Sequence, residues 1–166
     1  MIKVNLFALI HAKPGARETI VLDTDSILID DLDIVYLKGT LHFTRVDYGI
    51  LITGTLDAKV KIECIRCLTP FYESVVIELE DTISLPGADL TPERPVRVAE
   101  DGWVDLSPLV RENAWVAVPV KPICSPDCQG ICPDCGGNIN LGECTCDKTA
   151  PIDPRWGALK ALLETT

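Results

Sequence analysis

Between residues 51 and 63 the chain alternates without a break. Ile52, Gly54, Leu56, Ala58, Val60 and Ile62 are apolar or small, while Thr53, Thr55, Asp57, Lys59, Lys61 and Glu63 are polar. A period of two sends these sets to opposite faces of an extended strand, the pattern of an antiparallel sheet with one wet side. Its neighbours repeat the pattern. Residues 34–46 place Leu37, Gly39, Leu41 and Phe43 on one face, and Asp47-Tyr48-Gly49 has the chemistry of a hairpin turn. Residues 71–80 alternate again, with Phe71, Val75, Ile77 and Leu79 inward. Three consecutive strands predict a meander, which 3–9 and 19–22 are placed to extend. The expected fold is α+β and mainly antiparallel β, as a twisted meander sheet or partly open barrel.

Beyond the strands the periodicity changes. Residues 86–100 are rich in Pro and charge and read as a surface loop. Ser107-Pro108 supplies a cap and a first-turn proline for a short helix near 108–117, with Leu109, Val110, Ala114, Trp115 and Val116 on its buried side. Pro119 and Pro122 stop it. Asp153-Pro154 repeats the cap signal, and Trp156, Leu159, Leu162 and Leu163 form a helical stripe expected to dock on the body. The organisation read from the chain is a β-rich domain over 1–123, a Cys-rich segment over 124–146 and a C-terminal helix over 147–166.

Eight cysteines punctuate this plan, six of them between Cys124 and Cys146. The N-terminal MIKVNLFALIHAKPG lacks a cleavage motif and no apolar run approaches the ~20 residues of a bilayer span, which points to a soluble cytoplasmic protein without membrane contact. In a reducing compartment, thiols at ligand spacing favour metal over disulfides. Cys132-Pro133-Asp134-Cys135-Gly136 is a knuckle turn, and Cys144-Thr145-Cys146 follows nine residues later, so these four thiolates suit tetrahedral Zn²⁺ in a closed structural site. An iron–sulfur cluster and reduced buried cysteines are the competing readings. Cys64, Cys67, Cys124 and Cys128 remain. They make up a second tetrad, or Cys124 or Cys128 replaces one of the favoured four while Cys64 and Cys67 sit at a strand end. The expected stoichiometry is one zinc per chain.

The charge balance narrows the function. Lys and Arg number 15 against 25 Asp and Glu, a formal charge of −10. Coating nucleic acid by phosphate neutralisation needs the opposite sign. An RNA contact would have to be local, with Arg66, Lys59 and Lys61 the candidate patch. There is no nucleophile elbow, phosphate loop or HExxH helix, and His11 and His42 stand alone, so no catalytic constellation and no small-molecule substrate are indicated. A thioredoxin-type role for Cys64-Ile65-Arg66-Cys67 would need a helix N-terminus, whereas the motif lies between strands.

Four segments, IECIRCLTPF at 62–71, DGWVDLSPLVRENAWVAVPVKPIC at 101–124, CSPDCQGICPDCGGNINLGECTC at 124–146 and IDPRWGALKALL at 152–163, together resemble the YceD family of large ribosomal RNA subunit accumulation proteins. The resemblance implies a non-catalytic bacterial or plastid factor supporting accumulation or processing of large-subunit (23S) ribosomal RNA. Its partner would be a ribosomal RNA precursor or a basic ribosomal protein. In the family the motif matching Cys64 and Cys67 is more widespread than the later cluster, which makes the zinc of that cluster an architectural addition. The alternatives are a zinc-stabilised interaction module of other purpose and a CxxC thiol enzyme.

Overall fold

A computed structural model describes residues 1–89, 91, 95–146 and 154–156. Its centre is a five-stranded antiparallel sheet of β2 (Arg17–Thr24), β3 (Ile27–Ile29), β4 (Leu32–Val46), β5 (Gly49–Glu63) and β6 (Pro70–Ile83). The order is β2-β4-β5-β6, with β3 also paired to β4. The expected meander is β4-β5-β6, joined at its first corner by Asp47 and Tyr48 so that Val46 faces Gly49. One irregularity, between Ile34 and Tyr36, shifts the β4 register. Among the described residues the edges of this sheet do not pair with one another, so it does not close into a barrel.

Alternation translates directly into burial. Leu37, Leu41 and Phe43 of β4, Ile52, Leu56, Ala58 and Val60 of β5, and Val75, Ile77 and Leu79 of β6 are buried in one cluster. Onto this face packs α2 (Ser107–Ala117) through Leu109, Val110 and Ala114. Trp115 and Val116 were expected on that side and are exposed instead. At ~100° per residue they turn away from Ala114, and three buried positions already fill the contact. Ser107 does not cap α2. Its Oγ accepts from the Ile2 N–H (2.8 Å), and Asp105 Oδ1 accepts from the Ser107 N–H (2.9 Å).

Three further expectations are corrected. Residues 3–9 do not extend the meander: β1 (Lys3–Asn5) pairs with β7 (Trp103–Asp105) in a separate two-stranded sheet, and α1 (Phe7–Ile10) follows. The buried spacing changes from two at Ile2, Val4 and Leu6 to three at Leu9, and Asn5 Oδ1 accepts from the Phe7 N–H at the corner. The 86–100 stretch is not all surface loop, because Val96 and Val98 are buried and their backbone brackets Ser84 in a short parallel bridge. Pro154–Trp156 forms a 3-10 turn in which Trp156 is 59% exposed, unlike the burial expected of it. Leu159, Leu162 and Leu163, with most of the expected C-terminal helix, lie outside the described residues.

A pair of paired-thiol knuckles forming a candidate metal centre

β5 ends at Glu63 and β6 begins at Pro70, so Cys64 and Cys67 occupy the corner between a central strand and the edge strand beside it. The corner folds back on itself. Leu68 N–H donates to the Cys64 carbonyl (2.8 Å), Cys64 N–H donates to the Thr69 carbonyl (3.1 Å), and Leu68 adopts a left-handed φ of 59°. Ile65 N–H then reaches the Pro122 carbonyl (3.0 Å), which brings the chain leaving α2 alongside. Cys124 and Cys128 arrive on that chain, turned by the Cys128 N–H donating to the Ser125 carbonyl (3.0 Å).

Cys64, Cys67, Cys124 and Cys128 therefore converge, their sulfurs all within 4.8 Å of one another. Cys64 Sγ lies 3.8 Å from Cys128 Sγ and Cys67 Sγ 3.6 Å from Cys124 Sγ. Four sulfurs held about 2.3 Å from a tetrahedral zinc stand about 3.8 Å apart, whereas a disulfide needs about 2.05 Å. Separation and donor set both fit a soft divalent ion. Cys64, Cys67 and Cys128 are buried and only Cys124 is exposed.

The favoured four form a second cluster. Cys132, Cys135, Cys144 and Cys146 also have sulfurs within 4.8 Å of one another. Cys132 N–H donates to the Gly137 carbonyl (2.8 Å) and Gly136 N–H to the Cys132 carbonyl (2.9 Å), closing the knuckle, and the 3-10 turn Ile139–Leu141 leads toward Cys144. Thus the second-tetrad arrangement exists in the fold beside the favoured one, and Cys124 and Cys128 replace none of the four.

The thiols of each cluster are pushed in opposite directions. Burial pushes the Cys64 thiol up, but the backbone N–H groups of Cys124, Cys67 and Arg66 overturn this and hold it at about 6. Cys67 is lowered, chiefly by the Thr69 hydroxyl. Cys124 is pushed up to about 12, first by the Cys67 thiol and then by burial. In the second cluster the N–H groups of Cys135 and Asp134 bring Cys132 down to about 7, and the Cys135 thiol, followed by burial, sends Cys146 up to about 12. Backbone and hydroxyl donors thus favour the thiolate at Cys64, Cys67 and Cys132, while neighbouring thiols and burial disfavour it at Cys124 and Cys146. A bound divalent cation supplies a counter-charge and lets all four ionise.

Of the proposed contact patch, Lys59 and Lys61 lie on the open sheet face, Lys59 with its ammonium 5.8 Å from the Tyr72 ring centroid and Lys61 opposite Tyr72 and Asp33. Arg66 is otherwise engaged: its Nη1 donates to the Cys128 carbonyl (2.9 Å), tying one half of the first cluster to the other. His11 and His42 are exposed and far apart in role. His11 Nδ1 lies 2.9 Å from the Phe7 carbonyl and His42 Nδ1 lies 3.0 Å from the Thr19 hydroxyl. Sequence reasoning missed Asn138 and Asn140. Asn138 is buried, caps the 3-10 turn through the Asn140 N–H (3.0 Å) and donates to Thr69 Oγ1 (3.0 Å); Asn140 Nδ2 lies 3.5 Å from Cys128 Sγ. An Asn directly after two glycines and before a short turn is the local signal for such a cap.

An open antiparallel sheet, with one four-cysteine cluster at its β5–β6 corner and a second in the following loop, defines a β-scaffold protein whose two clusters could hold metal ions. No helix among the described residues is long and apolar enough to cross a membrane. The profile of the family described as "Large ribosomal RNA subunit accumulation protein YceD" matches residues 52–163, and the chain belongs to that family. An uncharacterised protein of Mycobacterium tuberculosis is 33% identical over 149 residues, 88% of this chain and 67% of its own. YlbN of Bacillus subtilis, also uncharacterised, is 24% identical over 111 residues (66% of this chain, 64% of its own). A chloroplastic large ribosomal RNA subunit accumulation protein YCED homolog of Zea mays is 35% identical over 49 residues, 29% of this chain and 17% of its own. No solved structure matches.

Proposed function

We propose that this chain is a non-catalytic factor in ribosome biogenesis that supports accumulation or processing of large-subunit (23S) ribosomal RNA. Family membership over residues 52–163 carries the reading. Cys132, Cys135, Cys144 and Cys146 hold structural Zn²⁺, and a closed four-sulfur shell leaves no position for a substrate water. The partner is a ribosomal RNA precursor or a basic ribosomal protein. With a formal charge of −10, a basic protein is the better match for direct contact, and RNA would be met locally through Lys59 and Lys61.

The alternative of dithiol chemistry at Cys64 and Cys67 is opposed by access, since Cys64 is wholly buried and an exchange partner must reach the attacking sulfur. The test of the main reading is recovery of the tagged full chain from cells at moderate salt, with co-purifying RNA and protein both identified. Enrichment of large-subunit precursor RNA or large-subunit proteins over small-subunit ones is the expected result; equal recovery of both subunits, or of neither, removes the assignment.

A further inference from the structure

We propose that the two thiol clusters bind their metal ions cooperatively, the Cys64, Cys67, Cys124 and Cys128 cluster filling first and the Cys132, Cys135, Cys144 and Cys146 cluster being assembled on it. The inference rests on the metal reading above and is independent of the ribosomal one.

The first cluster takes its sulfurs from two stretches already fastened to the folded body. One is the corner between β5 and β6; the other is the chain leaving α2, held by the bond between Ile65 and Pro122. An ion entering there finds its ligands positioned and orders little additional chain. The second cluster draws all four sulfurs from the loop 132–146, and its attachments among the described residues run to the two knuckles of the first. Ile131 N–H, at the loop's edge, donates to the Arg66 carbonyl (3.0 Å), Asn138 Nδ2 to Thr69 Oγ1 (3.0 Å), and Asn140 Oδ1 accepts from the Gln129 N–H (2.8 Å). Ile139 N–H closes the set on the Gly130 carbonyl (3.0 Å). Gly130 has a φ of 81°, and a Cβ there would stand 3.0 Å from the Arg66 carbonyl oxygen, so the two knuckles meet backbone to backbone.

Without the first ion, the corner at 64–69 stays in place on the sheet, but residues 124–130 are held to it only through the Ile65–Pro122 and Arg66–Cys128 bonds, and the landing points at Gln129 and Gly130 lose part of their order. The second cluster must then order its loop alone. Linkage makes the coupling reciprocal: whatever factor the first ion adds to the affinity of the second site, the second adds to the first. A net intramolecular hydrogen bond is worth about fivefold, and these four cross-cluster bonds at well below full additivity give a coupling of about tenfold to a hundredfold.

The test uses the full chain loaded with ¹¹³Cd²⁺, whose NMR signal resolves tetrathiolate sites, titrated with a competing chelator. Two signals are expected, the one abolished by Cys135→Ser/Cys146→Ser disappearing first. Cys64→Ser/Cys67→Ser should weaken the second site tenfold or more, and Cys135→Ser/Cys146→Ser should weaken the first by the same factor. Asn138→Ala touches no sulfur of the first cluster, yet should weaken both sites about fivefold. Unequal factors in the two double variants, an Asn138→Ala loss confined to the second site, or release from the first site before the second would overturn the proposal. A chain that takes up no cadmium at all overturns the metal reading beneath it.

Discussion

Gly54 faces the core at the middle of β5, opposite Leu41 on one side and Leu79 on the other. Its φ is 153°, and a Cβ there would sit 2.3 Å from the Thr40 carbonyl oxygen and 3.1 Å from Leu41 Cα and Cδ2. Gly54→Ala therefore strikes backbone first, and β4 and β5 must part to admit the methyl group. Overpacking of this kind costs about 1–3 kcal/mol, and a non-glycine residue in a sparsely populated backbone region about 1–3 kcal/mol more. The sum, about 2–6 kcal/mol, should appear as a lower urea midpoint at unchanged m-value, and as a melting temperature lower by roughly 5 °C or more. Adding Leu41→Ala should not restore stability, because the closest atom is the Thr40 carbonyl and not the leucine side chain. The consequence reaches the site, since β5 register decides where Cys64 emerges after Glu63. A Gly54→Ala chain within about 0.5 kcal/mol of the wild type, or rescue by Leu41→Ala, would show that the β4 backbone does not block a methyl group at this position.

Chelation of the metal, or Cys135→Ser for the second cluster alone, should raise hydrogen exchange at Cys132, Gly136 and Ile139 while amides of β4 and β5 stay protected; simultaneous loss of both would contradict a body that folds upstream of the knuckles. Arg111, whose Nε donates to Asp31 Oδ1 at 2.6 Å, holds the Asp31 carboxyl below its ordinary 3.8. A carboxylate lowered on folding contributes stability above its unfolded value and loses it as pH falls through the folded one, so the tether survives mild acid. Arg111→Gln should move the Asp31 NMR titration midpoint back up, and an unmoved midpoint would deny the pairing. Binding of the purified chain to ribosomal RNA should be weak, with a logarithmic salt slope of about −2 to −3 from two or three phosphate contacts. A much steeper slope would mean that the 15 basic residues form a patch that the charge argument overlooks.

The three long strands were legible because alternation reports burial residue by residue: Ile52, Leu56, Ala58, Val60 and Ile62 are all buried as read. Where two periods meet, the reading failed. Residues 3–9 begin with a strand spacing and end with a helical one, and Val96 and Val98 hide a two-residue repeat among prolines. The knuckle of Cys132 and Cys135 and its partners at Cys144 and Cys146 were visible because ligand spacing within a short loop is a local property. The convergence of Cys64 and Cys67 with Cys124 and Cys128 was not decidable, since partners 57 and 64 residues apart meet only when β5, β6 and α2 are packed. Asn138 and Asn140 escaped for the same reason, their partners Thr69 and Cys128 belonging to the other cluster.

A role in large-subunit RNA accumulation bears on one quantity above others, the ratio of mature large-subunit to small-subunit ribosomal RNA in cells depleted of the protein. That ratio should fall, and it should be restored by the wild-type chain and not by a stably expressed Cys64→Ser/Cys67→Ser variant. An unchanged ratio on complete depletion would contradict that role.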